Sequence, residues 1–293
     1  MAGERNEAGV ATELVRLEAP DGTPLDGALF APDGTGPART AIALFHGTGG
    51  EFCNSLFNAL GRGLAAQGWP VLALNRRDHG QNFGFVTLAE GAMDQRVAVD
   101  YLESLGAERV VLGGHSYGTV TVPWYVARTD DRRVPAMLLY AALGDLRPAS
   151  IAICGGSERY DAWVAEARAA VAEGRGDEAF LIPPMVAGYL PMVNTYAVFL
   201  DKRGPKSECA PVELVRRTGD RPILALRHAR DPFPATLPPA REQLEAANPK
   251  LDYVLIEDDG AGPATPEMHF FAGHEARVLD ITTDWLTRRD LTP

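Results

Sequence analysis

Apolar positions along the chain fall into short runs separated by polar, glycine- and proline-bearing segments. Thr12 to Glu18 alternates polar and apolar residues, with Leu14, Val15 and Leu17 prominent. After Asp21-Gly22-Thr23 a second run covers Leu25 to Phe30. Alternation on either side of a turn predicts an antiparallel hairpin at a sheet edge. The later runs are different: Thr40 to Phe45, Pro70 to Leu74, Arg109 to Leu112, Val134 to Ala142, Pro222 to Leu226 and Leu251 to Ile256 are nearly continuously apolar. Such strands are buried on both faces, as in a parallel sheet. Between them the spacing becomes helical. Leu56, Phe57, Leu60 and Leu64 share a face that closes at Gly68, and Met93, Val97, Tyr101 and Leu105 recur every four residues up to Gly106. A helix is expected from Pro239 to Ala247, and Val278, Ile281, Trp285 and Leu286 form the inner face of a last one. Pro123 falls about two turns into the segment after Gly118, where it predicts a kink or an end. Strands alternating with helices imply an α/β fold with a mostly parallel sheet and helices on both faces.

The pattern changes between residues 144 and 217. Tyr160 to Glu173 reads as a helix with Trp163, Ala167, Ala170 and Val171 on one side. Pro183, Pro184, Pro191, Pro205 and Pro211 then forbid long regular elements. A stretch this long is not a plain connection in a compact domain. It predicts a cap inserted after the sixth strand, dividing the chain into a first core part (1–143), the cap (144–217) and a second core part (218–293).

Composition narrows the class. The 293 residues are 46% hydrophobic and 23% charged, with a net charge of −11. That balance and the lack of a long basic run argue against nucleic acid and anionic membranes as partners. No apolar run approaches the ~20 residues of a membrane span, and the polar N-terminus lacks the apolar centre of a signal peptide. Cys53, Cys154 and Cys209 are scattered, without metal-ligand spacing, so a reducing, cytoplasmic setting is expected.

The chemistry centres on Gly114-His115-Ser116-Tyr117-Gly118, which follows an apolar strand and opens a helical segment. A serine in Gly-x-Ser-x-Gly between strand and helix is a nucleophile elbow. Acyl transfer by serine needs a base, a carboxylate that orients the base, and backbone N–H donors for the oxyanion. In a parallel sheet these groups sit in loops beyond strand C-termini. His46-Gly47-Thr48-Gly49-Gly50 and Asn75-Arg76-Arg77-Asp78-His79-Gly80 follow two such strands. Asp231 follows a third, and His269 and His274 follow the last.

With these motifs the chain resembles the α/β-hydrolase superfamily over nearly its whole length. The elbow, the His-Gly loop and the charged loop each resemble family segments, and His269-Phe270-Phe271-Ala272-Gly273 is similar to a common stretch before the last helix. The family order of serine, acid and histidine implies Ser116 as nucleophile, Asp231 as acid and His269 as base. Asp145 competes with Asp231, and His274 with His269; Asp258 and Asp259 lie close to the final strand. The resemblance implies oxyanion donors at the backbone N–H of Thr48 and Tyr117, and loop-supporting roles for His46 and His115. His79 and His228 are read as structural. It implies hydrolysis of a small-molecule carboxylic ester without cofactor or metal. The alternatives are another acyl or C–C bond, such as an amide or thioester, or a binding protein on the same fold. Tyr189, Met192, Tyr196 and Phe199 would line a substrate site if the cap closes over Ser116, or else form the cap's own core. Val171 to Glu178, with Phe199-Leu200-Asp201 and Gly204-Pro205, is similar to segments of hydrolases related to fungal siderophore esterases, implying a bulky polar ester.

Overall fold

The computed structural model describes residues 9–34, 38–182, 192–233, 240–258, 260 and 263–293. The predicted hairpin is present: β1 (Val10–Glu18) pairs antiparallel with β2 (Pro24–Pro32). β2 in turn pairs antiparallel with β4 (Val71–Leu74). The remaining partners, β3 (Thr40–Phe45), β5 (Arg109–His115), β6 (Met137–Tyr140), β9 (Ile223–His228) and β10 (Leu251–Ile256), run parallel. The eight strands lie in the order β1-β2-β4-β3-β5-β6-β9-β10.

The central strands are continuously apolar because each feeds two cores. Ala41, Ala43 and Phe45 face one side with Leu72, Leu112, Leu139 and Ala225. Ile42 and Leu44 face the other with Val71, Val111, Leu138 and Leu224. The first side is covered by α3 (Gln95–Ser104), α4 (Gly118–Thr129), α8 (Pro211–Arg216) and α9 (Ala240–Ala247), which contribute Val99, Tyr125, Val215 and Leu244. The second is covered by α1 (Ser55–Ala66) and α10 (Glu275–Arg288), through Phe57, Leu60, Val278 and Trp285.

Two helices differ from the sequence reading. The segment with Met93, Val97, Tyr101 and Leu105 is two helices, α2 (Leu88–Met93) and α3, hinged at Asp94. Asp94 is buried and spends its carboxylate on the backbone and guanidinium of Arg77. The buried stripe is Ala98, Val99 and Leu102, while Met93 and Leu105 are exposed. The second difference is α4, which continues through Pro123 unbroken. Every residue from Gly118 to Val126 is buried, and that packing outweighs the ~3 kcal/mol penalty of an internal proline.

Residues 144–217 follow the sixth strand, β6. They form α5 (Leu146–Ile153), α6 (Ser157–Ala172), a two-stranded antiparallel sheet of β7 (Ala179–Ile182) and β8 (Met192–Thr195), α7 (Tyr196–Arg203) and α8. Tyr160, Val164, Ala167, Ile182 and Phe199 make a separate small core. α8 belongs with the main core, packing on α4 and α9. The rest is bolted down by polar contacts: Asp201 accepts the Leu88 N–H at 2.7 Å, Lys202 donates to the Phe83 carbonyl at 2.7 Å, and Trp124 Nε1 donates to Glu208 at 2.9 Å. Among the described residues no helix is long and apolar enough to cross a membrane.

Candidate active site

The strand order reverses at β3, which lies between β4 and β5. Loops leaving β3 and β5 therefore diverge and open a crevice, the place where sheets of this kind carry their sites. His46 to Gly50 leaves one strand and Ser116 the other.

Ser116 sits at φ 54°, a left-handed conformation that is costly for a residue with a Cβ. Its backbone N–H bonds Tyr140 O at 2.9 Å, and its carbonyl accepts the Thr119 N–H at 2.8 Å and the Thr119 hydroxyl at 2.6 Å. The turn is so tight that a Cβ on Gly114 would lie 2.2 Å from Gly118 O, and one on Gly118 would lie 2.5 Å from Phe45 O. Both glycines are therefore steric requirements. α4 begins directly after the elbow, with Tyr117 at its N-cap, so its positive end faces the serine.

Gly47 brings the β3 loop onto Ser116: a Cβ there would meet Ser116 Cβ at 2.7 Å. Among the described residues neither the Thr48 nor the Tyr117 backbone N–H has a hydrogen-bond acceptor. The loop is held from beneath by His46. Its Nδ1–H donates to Gly47 O at 2.8 Å, and its Nε2 accepts the Arg76 N–H at 3.1 Å. Burial, reinforced by the adjacent Arg76, pushes the His46 imidazole down to about 3. Arg76 is itself fully buried, bonding His46 O at 2.7 Å and Asp78 at 2.9 Å.

The structure pairs Asp231 with His269. Asp231 Oδ2 accepts from His269 Nδ1 at 2.7 Å and Oδ1 accepts the Phe233 N–H at 2.9 Å. Both side chains are nearly inaccessible. Burial alone would raise the Asp231 carboxyl; the His269 hydrogen bond and charge, with Phe233 and Arg227, outweigh it and hold the group below the ordinary carboxylate range. In the tautomer that donates Nδ1–H to Asp231, Nε2 is the nitrogen left to accept a proton. It is buried and without a partner among the described residues. His269 is tied to the elbow by Ser116's neighbour: His115 Nε2 donates to His269 O at 2.9 Å, and the two rings meet edge to face at 4.8 Å. Burial pushes His115 down to about 3, so this link is a neutral one.

The competing residues lie in other environments. Asp145 is exposed and caps α5 by accepting the Arg147 N–H at 3.0 Å. Asp258 pairs with Arg230 at 2.9 Å, and Asp259 lies outside the described residues. His274 packs on the His228 ring at 4.9 Å. His79 is half-exposed, 3.3 Å from Glu51. Of the residues expected to line a substrate site, Phe199 is fully buried against Trp163 and Phe180. Tyr196 stacks on Phe180 and donates to Glu166 at 2.7 Å. Both serve the small separate core of residues 144–217, where they pack with Trp163 and Phe180. Tyr189 and the side chain of Met192 lie outside the described residues.

Residues that the sequence reading passed over also meet here. Lys202 from α7 stands 3.6 Å from Asp78 and 5.2 Å from the centre of the Tyr117 ring. A lone lysine in Leu-Asp-Lys-Arg carries no sequence signal of burial. Thr119, between Ser116 O and the Leu143 N–H, reads as an ordinary helical residue.

Comparison with known proteins follows the same lines. No curated protein sequence matches the chain. Among solved structures, Est1E from Butyrivibrio proteoclasticus with ferulic acid bound has a TM-score of 0.67 at 16% identity, over 94% of this chain and 98% of that one. DcsB in complex with its substrate analogue gives 0.68 at 18% identity over 95% and 99%. A thermostable carboxyl esterase from Bacillus coagulans in complex with glycerol gives 0.67 at 12% over 94% and 98%. At such identities the likeness is one of fold. A profile described as the alpha/beta hydrolase family matches residues 42–281, from within β3 to within α10. Spanning most of the chain, that match establishes that the protein belongs to the alpha/beta hydrolase family.

Proposed function

We propose that this protein is a serine hydrolase that cleaves a small-molecule carboxylic ester through an acyl-enzyme. The observation that carries this reading is the buried His269–Asp231 pair at 2.7 Å, docked through His115 against the strained serine turn. Ser116 Oγ attacks the ester carbonyl while its proton passes to His269 Nε2. Asp231 fixes the tautomer and balances the imidazolium that forms. The Thr48 and Tyr117 N–H groups, unengaged among the described residues, stabilise the oxyanion. His269 then protonates the leaving alcohol and activates the water that hydrolyses the acyl-enzyme. The mechanism uses no cofactor or metal. Of the insertion at residues 144–217, between core parts 1–143 and 218–293, the part before α8 acts as a cap. An ester, among acyl substrates, is favoured by the names of the similar structures: Est1E with ferulic acid bound, and the carboxyl esterase.

The test compares wild type, Ser116→Ala and His269→Ala for hydrolysis of p-nitrophenyl acetate and butyrate, and for covalent labelling by a fluorophosphonate. Wild type is expected to turn over and label; Ser116→Ala should do neither, and His269→Ala should lose ~10³-fold or more in turnover. Unchanged turnover in a folded Ser116→Ala overturns the serine mechanism. Labelling without ester turnover would move the substrate to another acyl bond.

A further inference from the structure

The Lys202 ammonium has no part in the mechanism above, yet it lies buried beside it. Its side chain is 1% exposed. Nζ donates to the Phe83 carbonyl at 2.7 Å, stands 3.6 Å from Asp78 Oδ2, and lies over the rings of Phe83 at 3.6 Å and Tyr117 at 5.2 Å. Those rings meet edge to face at 5.0 Å. From this point two short paths lead to the oxyanion donors. One runs through Asp78 to Arg76, whose guanidinium holds the carbonyl of His46, two residues before Thr48. The other is the ring of Tyr117 itself. Lys202 belongs to α7, so both paths begin on the cap.

Charge compensation does not explain the residue. Asp78 already has Arg76, and a second buried cation beside a paired carboxylate adds desolvation cost. An apolar side chain of similar length would fill the same space more cheaply. We infer that Lys202 is a positioning residue: seated in the protonated form, it locks the cap onto the core and fixes the spacing of the Thr48 and Tyr117 N–H groups. The inference rests on the oxyanion role proposed above for those two groups.

The groups facing Nζ make this dependent on pH. Burial pushes the ammonium down to about 8, against the pull of Asp78, Cys209 and Asp201 and in concert with Arg76. The Tyr117 phenol and Cys209 thiol are both pushed up, chiefly by burial. The folded protein thus releases this proton near pH 8, whereas an unfolded chain holds it to about 10.5. Between those values the unfolded state binds more protons, so this group makes stability rise with pH. Loss of turnover in that window is therefore not unfolding driven by Lys202.

The experiment measures kcat and KM from pH 6 to 10 for wild type, Lys202→Met and Lys202→Arg. It adds hydrogen exchange, corrected for intrinsic rates, over residues 44–50, 80–86 and 116–120 at pH 7 and 9.5. Wild type should show an alkaline limb in kcat centred near pH 8, with faster exchange in the three segments at pH 9.5. Lys202→Met should lower kcat at pH 7 by a factor on the order of 10 to 100, the loss expected when catalytic groups are misplaced. It should have no alkaline limb, and exchange at pH 7 like that of wild type at 9.5. Wild-type kcat and pH profile in a folded Lys202→Met overturns the inference. So does a folded Lys202→Arg that keeps the limb, because a guanidinium does not titrate there. If Lys202→Met fails to fold, the wild-type exchange at the two pH values decides: unchanged protection in all three segments overturns it. If wild type neither hydrolyses esters nor labels, the serine reading fails separately, and the exchange comparison still tests whether Lys202 orders these loops.

Discussion

Gly118→Ala sets helix propensity against tertiary contact, with opposite signs. Gly118 is the first residue of α4 and has no left-handed φ. Propensity alone would favour alanine there by about 1 kcal/mol. In the folded protein the new Cβ would lie 2.5 Å from Phe45 O and 3.1 Å from His46 O, so about 0.9 Å must open before an ordinary 3.4 Å contact is reached. Neither carbonyl can easily retreat. Phe45 ends β3, which is buried on both faces and paired with β4 and β5, and His46 O is held by Arg76. The first turn of α4 has to move instead, carrying Tyr117 and Ser116 away from Thr48. Overpacking costs about 1–3 kcal/mol, so the net change is a destabilisation of roughly 0–2 kcal/mol rather than a gain. A displacement approaching 1 Å at the reacting centre costs on the order of 10²-fold in rate. Urea unfolding and p-nitrophenyl butyrate kinetics on the two proteins measure both. A Gly118→Ala protein more stable than wild type by about 1 kcal/mol, with kcat within about threefold, would refute the steric account of the elbow.

Asp231→Asn should keep the fold and lower kcat by ~10³ to 10⁴, because the amide stabilises the wrong His269 tautomer; circular dichroism with steady-state kinetics checks it, and a loss under tenfold would return the acid to another carboxylate. His274→Ala, by contrast, should leave kcat within about twofold, since its ring touches His228 and not the Asp231 pair. Asp145→Ala should cost about 1 kcal/mol through loss of the α5 cap, read by urea unfolding, with kcat unchanged. His46 and His115 are neutral in the fold and held near 3, against 6.5 as free side chains. Only the unfolded chain takes up their protons between those values, so each withdraws on the order of 1 kcal/mol of stability per pH unit as pH falls through the window. Thermal unfolding followed from pH 7 to 4 should show a steep fall, and a flat profile would contradict the burial of these rings as neutral groups.

Much of this architecture is written locally. Thr40 to Phe45 could only be a doubly buried strand, because a continuous apolar run of that length needs two cores and a helix needs more residues. The alternation from Thr12 to Glu18 marked an edge hairpin in the same way. Gly114 is local too, since the collision it avoids arises within one turn, whereas Gly118 avoids the end of β3. That Ser116, Asp231 and His269 each lie in a segment beyond a strand was legible from the apolar runs that precede them.

The rest depended on neighbours distant in sequence. Met93 to Leu105 has helical spacing, but its break at Asp94 is set by Arg77, and its buried face by which side of the sheet it meets. Pro123 stays inside α4 because burial outweighs a local penalty that the sequence states plainly. Asp145 and Asp231 are equivalent as text; one caps a helix and the other meets His269 only when β9 and the loop before α10 are brought together. Phe199 joins the small core of residues 144–217 and Lys202 leaves solvent for the same reason. Periodicity records whether a side chain is buried or exposed. It does not record its partner, and partners settle charge, tautomer and strain.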